Sequence, residues 1–493
     1  MKIFPFLLSL LAISATFSIQ AQTTTQKAKI ALVENGLVPD ADIVFADSLV
    51  KRFNIVERMR QYNIPSLSIA VIDGGKIAWA KAYGLADAGE GRKADVHTLY
   101  QAASISKSVN ALYILKLAQD GKLDLNKDIR TYLKTWTFPD NDFSTGKTIT
   151  IKNLLSHTAG LSTGGFKGYE KSEALPTINE ILDGRRPANS EAVRPVLNPG
   201  TKRQYSGGGT LVIKKILQDN IGEDYAGLLK KEVLQPLGMT ASTFEQPLTS
   251  KFRNFATAYD INKKEMPGKF YIYPEQAPDG LWTTPTDYAR FILSLQHSLK
   301  SNGGFLSKMM ANEMVTPMLE GSDAALGVFI KEKGGEKYFT HTGANMGYRS
   351  IYYGSYTTGK GVVILINSDN DKILNELVNS VAIAYNWKGF YNPEVRKLVA
   401  VADTLTNKYI GQYQSEQPAL TIKIIRKNGG LQLSARDNGN FEPIYFTGKD
   451  SFFLMSSPNT VAAILSSDGG KTYSLVVKQG DRVLFTAPKK NER

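Results

Sequence analysis

Thr98-Leu99-Tyr100-Gln101-Ala102-Ala103-Ser104-Ile105-Ser106-Lys107 is the stretch on which the reading of this chain turns. A serine and a lysine three residues apart on a helix share one face, with Cβ atoms roughly 5–6 Å apart. A serine hydroxyl is a weak nucleophile at neutral pH and needs a neighbour that can take its proton. A lysine one turn away can do so if its surroundings keep it neutral part of the time. The four-residue pattern recurs at Ser48-Leu49-Val50-Lys51 and at Ser144-Thr145-Gly146-Lys147, so context has to choose.

Context favours Ser104. Upstream, Ser66-Leu67-Ser68-Ile69-Ala70-Val71-Ile72, the turn Asp73-Gly74-Gly75 and Lys76 to Gly84 predict a β-hairpin. Val109 to Leu117 then carries helical periodicity. Ser104 should therefore stand at a helix start, where free amide hydrogens and the dipole favour developing negative charge. Ser48 falls within a predicted amphipathic helix, Ala46 to Tyr62, and reads as part of a solvated face. Ser144 lies in a polar connection.

Further motifs follow in order. They are Ile149-Thr150-Ile151-Lys152-Asn153-Leu154-Leu155-Ser156-His157-Thr158-Ala159-Gly160-Leu161, Asn198-Pro199-Gly200 with Tyr205-Ser206-Gly207, Pro236-Leu237-Gly238-Met239, Asp279-Gly280-Leu281-Trp282-Thr283-Thr284 and His341-Thr342-Gly343. Together with Ser104-x-x-Lys107 they resemble the signatures of penicillin-recognising serine hydrolases, in the class C β-lactamase-like branch. That branch includes β-lactamases, D-alanyl-D-alanine carboxypeptidases, D-aminopeptidases and esterases.

The resemblance implies an α+β fold, an antiparallel β-sheet flanked by helices with a mostly helical insertion. It also implies acyl transfer: Ser104 attacks a carbonyl, and water hydrolyses the resulting ester. Lys107 and Tyr205 would shuttle the proton, and the sequence leaves open which of them is the base. A tyrosine with an unperturbed pKa of about 10 needs nearby positive charge for that work, and Lys107 is the expected source. Backbone amides of Ser104 and Ala344 would hold the oxyanion. His341, Thr342 and Gly343 would form a sheet edge on which a peptide-like substrate docks.

Two departures bear on substrate. Gly207 stands where the family often has an asparagine, which removes a side-chain donor and is expected to widen the site. His341 stands where β-lactamases of this branch usually have a lysine, so a fixed cation for a substrate carboxylate is lost. Arg349 is the candidate replacement. Peptidase or esterase activity is therefore expected ahead of β-lactamase activity. His157 is expected to hydrogen-bond within its own loop, and His97 and His297 read as ordinary polar residues.

Other readings compete. Gly160-Leu161-Ser162-Thr163-Gly164 fits the nucleophile elbow of α/β-hydrolases, with Asp287 and His341 in the required chain order, but that elbow must join a strand to a helix. Substitutions at Gly207 and His341 would also suit a catalytically silent module that binds envelope peptides. Gly146-Lys147-Thr148 and Gly470-Lys471-Thr472 end like phosphate loops but lack the leading glycine. With four scattered histidines and no cysteine there is no zinc-ligand spacing, and no metal or other cofactor is expected.

Met1-Lys2 and the apolar run from Ile3 to Leu11 predict a signal peptide over residues 1–21, too short in its apolar part to span a bilayer. Export to the periplasm or extracellular space is the expectation, with no transmembrane segment. A net charge of +13 suits anionic envelope polymers. The basic residues fall in short pairs and nothing resembles a nucleic-acid module, so the expected partner is a small-molecule or peptide substrate, cell-envelope peptides included. The hydrolase domain is expected over residues 22–390, ending in a helix from Ile373 to Trp387. A linker follows over 391–403. Residues 404–493 carry short alternating strands that predict a small antiparallel β-barrel or sandwich. Tyr409-Ile410-Gly411-Gln412-Tyr413 resembles the start of the lipocalin-like domain often appended to this family.

Overall fold

The computed structural model describes residues 25–41, 43–46, 51–222, 224–435 and 440–490. The expected signal peptide and Ser48 lie outside the described residues. The chain divides into two compact units, one of residues up to Asp40 with Arg52–Tyr391, the other of Ala41–Lys51 with Asn392–Arg493.

The first unit is built on a seven-stranded antiparallel sheet. Its strands are β1 (Ser66–Asp73), β2 (Lys76–Asp87), β3 (Arg92–Lys93), β4 (Phe329–Lys333), β5 (Glu336–Asn345), β6 (Tyr348–Ser355) and β7 (Gly361–Ile366). They lie in the order β3-β2-β1-β7-β6-β5-β4, so both ends of the unit's sequence meet at the β1–β7 pair. These two central strands are covered on both faces; β7 reads as an unbroken apolar run, and β1 is apolar from Ile69 to Ile72 with Ser66 and Ser68 buried ahead of it. Successive side chains still point to opposite faces. Leu67, Ile69 and Val71 pack with α1 (Ile55–Gln61) and, later in the chain, Leu377 and Val381. Ala70 and Ile72 instead join Val109 and Leu112 of α2 (Ser106–Gln119) and the largely helical region that follows it.

That region, inserted between β3 and β4, includes α3 (Gly207–Asn220) and α4 (Pro285–Lys300). The closing helix, α5, spans Lys372–Ala384. The helix expected over Ala46–Tyr62 is shorter. The Asn54 side chain accepts from the amides of Val56 and Glu57 and starts α1 at Ile55, while Ile43–Phe45 form a strand.

In the second unit Ile43–Phe45 pair in parallel with Glu394–Arg396, so a strand lies inside the segment read as linker. After a helix at Asp403–Tyr409 come a four-stranded and a five-stranded antiparallel sheet. Tyr413, Ile424, Leu433, Phe452, Ile464 and Leu475 form their common core. Among the described residues the sheets do not close into a barrel. Among the described residues no helix is long and apolar enough to cross a membrane.

Candidate active site

Ser104 sits on a single 3-10 turn, Ala103–Ile105, that runs into α2. Ala103 has φ of 52°, a left-handed conformation that alanine rarely adopts. The turn is latched to a distant segment: Ala102 N donates to Leu281 O (2.8 Å), and Leu281 N donates to Ser106 Oγ (3.1 Å). Lys107, one turn on and 2% exposed, points back at Ser104. Its Nζ donates to Ser104 Oγ (2.9 Å), to Pro278 O (3.0 Å) and to Asp279 Oδ1 (3.2 Å). Ser104 Oγ in turn donates to Asp279 Oδ1 at 2.9 Å.

Asp279 is the site residue that sequence reasoning missed. It heads the motif Asp279-Gly280-Leu281-Trp282-Thr283-Thr284, and a carboxylate beside that glycine is the signal that points to it. Its side chain is 4% exposed, and its carbonyl accepts from Asn345 Nδ2 of β5 at 3.1 Å. Burial by itself would lower the pKa of Lys107, but its interactions with Asp279 and then with Tyr205, each of which it also meets by a side-chain hydrogen bond, outweigh it, and the net shift is upward.

Tyr205 lies just ahead of α3, whose first turn is capped by Ser206 Oγ on Gly209 N (2.9 Å). Lys107 Nζ is 5.3 Å from the centre of the Tyr205 ring. His157 reaches beyond its own loop, contrary to expectation. Its Nδ1 accepts from Ser206 N (3.2 Å), its carbonyl accepts from Gln204 N (2.7 Å), and its ring centre is 4.3 Å from that of Tyr205. Burial, then the charge of Lys107, hold its pKa well below the usual imidazole range. The ring is a neutral brace for the tyrosine segment.

The other wall is the far half of β5. β4 pairs with Glu336–Thr340 only, and Thr342 and Ala344, beyond its reach, are exposed. Gly343 faces the nucleophile turn. A Cβ there would lie 2.3 Å from Ala102 O and 2.3 Å from Ser350 Oγ, so only glycine permits this approach. Ser104, Tyr205, His341, Thr342, Gly343 and Ala344 all border one cleft of about 1010 Å³. Gly207 is not among the residues that line it. It is buried against Gly164 and Phe166, each 3.1 Å from where a Cβ would stand, so the missing side chain tightens packing rather than widening the cleft.

His341 is buried, donates from Nδ1 to Thr342 O (2.6 Å), and leaves Nε2 without a partner. Burial and then the charge of Lys107 push its pKa down to about 3, so it carries no charge at neutral pH. Arg349 also borders the cleft, but its Nη1 is paired with Asp369 at 2.8 Å. The cation expected to replace the family lysine is already matched.

Ser162 is engaged elsewhere. Its Oγ donates to Ala192 O (3.0 Å) and accepts from Arg194 N (2.9 Å), in a segment that joins no strand to a helix. Asp287 accepts from the amides of Ala241 (2.9 Å) and Ser242 (3.0 Å) at the start of α4. The α/β-hydrolase elbow is therefore absent. Among the described residues no group of three or more histidine, aspartate or glutamate side chains is placed to hold a metal ion.

An antiparallel sheet with a helical insertion, and a serine held by a lysine beside an open strand edge, define a serine hydrolase of the penicillin-binding type. The chain belongs to the Beta-lactamase family, whose profile matches residues 52–382. Protein flp of Staphylococcus aureus (strain N315) is 30% identical over 249 residues, 49% of this chain and 46% of the relative. The chain thus spans about half the length of that relative. Penicillin-binding protein 4* of Bacillus subtilis (strain 168) is 22% identical over 440 residues, 83% of this chain and 92% of the relative. Among solved structures, the octameric penicillin-binding protein homologue from Pyrococcus abyssi superposes with a TM-score of 0.59 at 22% identity, over 88% of this chain and 98% of that one.

Proposed function

We propose that the protein hydrolyses a peptide, amide or ester bond through an acyl-enzyme on Ser104. The observation that carries this reading is the 2.9 Å contact between Lys107 Nζ and Ser104 Oγ, in a cleft bordered by the half of β5 that pairs with β6 but extends beyond β4. Thr342 and Ala344 offer that edge to an extended substrate backbone, and the amides of Ser104 and Ala344 are the oxyanion donors. Neutral His341 and neutralised Arg349 favour a substrate without a carboxylate beside the scissile bond, so peptidase or esterase activity comes ahead of β-lactam turnover. The apolar Ile3–Leu11 run supports export to the periplasm or beyond, and an exported form should begin near Gln22. We read the second unit as a lipocalin-like appendage that stabilises the enzyme.

The test is covalent capture by a fluorophosphonate or penicillin probe, mapped by mass spectrometry, with turnover of a short-chain nitrophenyl ester, a D-alanyl peptide and a chromogenic cephalosporin. An adduct on Ser104 with ester or peptide turnover is the expected result. No adduct, with tight reversible binding of envelope peptides, would instead establish a silent binding module.

A further inference from the structure

The carboxylate beside Lys107 bears on the conditions under which Ser104 becomes reactive. Lys107 Nζ donates to Ser104 Oγ (2.9 Å) and meets Tyr205 by charge and by a side-chain hydrogen bond, so amine and phenol form one proton-handling pair at the nucleophile. Asp279 Oδ1 reaches into this group, accepting from Lys107 Nζ at 3.2 Å and from Ser104 Oγ at 2.9 Å. The Lys107 and Asp279 side chains are only 2% and 4% exposed, so solvent screens their attraction little. An ammonium has no lone pair. The pair must therefore give up a proton before it can take one from Ser104, and Asp279 opposes that loss. A negative charge favours the protonated form of an amine and of a phenol alike, so the direction is the same whichever of the two receives the proton.

The other titratable groups around the pair add little charge at neutral pH. His157, ahead of Leu161, and His341 of β5 are both kept neutral by burial and by the charge of Lys107. Arg203, two residues before Tyr205, is paired with Asp323 at 2.7 Å. On the segment of Asp279 itself, burial pushes Tyr273 up and Glu275 up to about 8. Lys214 of α3, which interacts by charge with Glu275, is pushed down to about 8 by burial. Asp279 is the carboxylate in direct contact with the pair.

We propose that Asp279 is a positioning residue that sets the working pH of this enzyme: its carboxylate withholds the basic form of the lysine–tyrosine pair, so Ser104 gains its reactivity at higher pH than it would beside a neutral group. The proposal rests on the acyl-enzyme reading above. As the Oγ–carbon bond forms, the Oγ proton passes to the pair. As the bond to the leaving nitrogen or oxygen breaks, that atom takes a proton back from the pair. Asp279 keeps its charge throughout and acts through Lys107, Tyr205 and the orientation of the Ser104 hydroxyl.

The experiment measures the rate of fluorophosphonate adduct formation on Ser104 in the full chain from pH 5 to 10, in wild type, Asp279→Asn and Asp279→Glu. In wild type the rate should still be climbing at pH 9. In Asp279→Asn the midpoint of the rise should fall by about 1–3 pH units. Asp279→Glu, which keeps the charge, should return the midpoint toward wild type. Glu275 and Lys214 are common to all three proteins, so the difference in midpoint isolates residue 279. A midpoint in folded Asp279→Asn that is unmoved or higher, whatever the loss of rate, would make the role merely structural and overturn the assignment. A midpoint in Asp279→Glu as low as in Asp279→Asn would overturn it too. If Asp279→Asn does not fold, the wild-type profile decides: a rise continuing past pH 9 supports the assignment, and a plateau reached before pH 9 overturns it. In each of these outcomes the acyl-enzyme reading stands, whereas absence of any Ser104 adduct in wild type would remove that reading itself.

Discussion

Ser104-x-x-Lys107 and Ser144-x-x-Lys147 share a pattern and differ in everything the fold adds. Both hydroxyls donate to an aspartate: Ser104 to Asp279 at 2.9 Å and Ser144 to Asp140 at 2.7 Å. Ser144 is sealed inside a turn, and Lys147 lies on the surface, bonded to Asn198 and two carbonyls of its own loop. Asp140 is held by Arg130, not by the lysine of the pattern. At Ser104 the exposures are reversed: the serine opens on a cleft and the lysine is buried. On the proposed acyl-enzyme reading that inversion is what makes Ser104 reactive, because it places an accessible hydroxyl over charges that water does not screen.

The comparison can be broken most forcefully at the hydroxyls. Ser104→Ala should cut turnover of a nitrophenyl ester by a factor on the order of 10⁶, the scale at which a lost nucleophile is felt. Ser144→Ala should leave turnover in place. Equal loss in both variants would end the distinction. The lysines come next. Lys107→Met strands the buried Asp279 carboxylate and should cost about 3–5 kcal/mol in urea unfolding.

A third test concerns how little charge the buried side tolerates. The His341 imidazole titrates near 6.5 when unfolded and near 3 when folded, so between these values the unfolded chain binds the extra proton. This contribution is present above about pH 6.5 and is lost as pH falls toward 3, at up to about 1.4 kcal/mol per unit. Between pH 7 and 5 wild type should lose about 2 kcal/mol more than His341→Gln, measured by urea midpoints. The smallest effect is expected at the surface lysine, where Lys147→Ala should stay within about 0.5 kcal/mol of wild type.

Much of this architecture was legible from local pattern. The hairpin around Asp73-Gly74-Gly75, the helix after Ser104 and the strands after Thr404 follow from periodicity and turn residues, and each is present. The helix before Tyr62 was overextended because Asn54, a capping residue, sits inside a run that still looks amphipathic. Arrangement was harder to read. How the late strands divide between two sheets depends on pairings that no short window contains. Ser104, Lys107 and Tyr205 could be singled out as candidates because they stand in recurring motifs, and the structure places them beside one another. Asp279 could not be assigned a role, since its meaning comes from a contact 175 positions away in sequence. Gly207 misled in the same way: an absent side chain can leave space or allow a close approach, and only its neighbours decide.

The left-handed backbone at Ala103 has a consequence for how this protein can be improved. Replacing it by glycine would relieve a conformational cost of roughly 1–2 kcal/mol, an obvious gain for anyone engineering heat resistance. The same change would remove the side chain that restricts the backbone of the turn carrying Ser104. Heat resistance and the fixed setting of Ser104 thus meet at one methyl group.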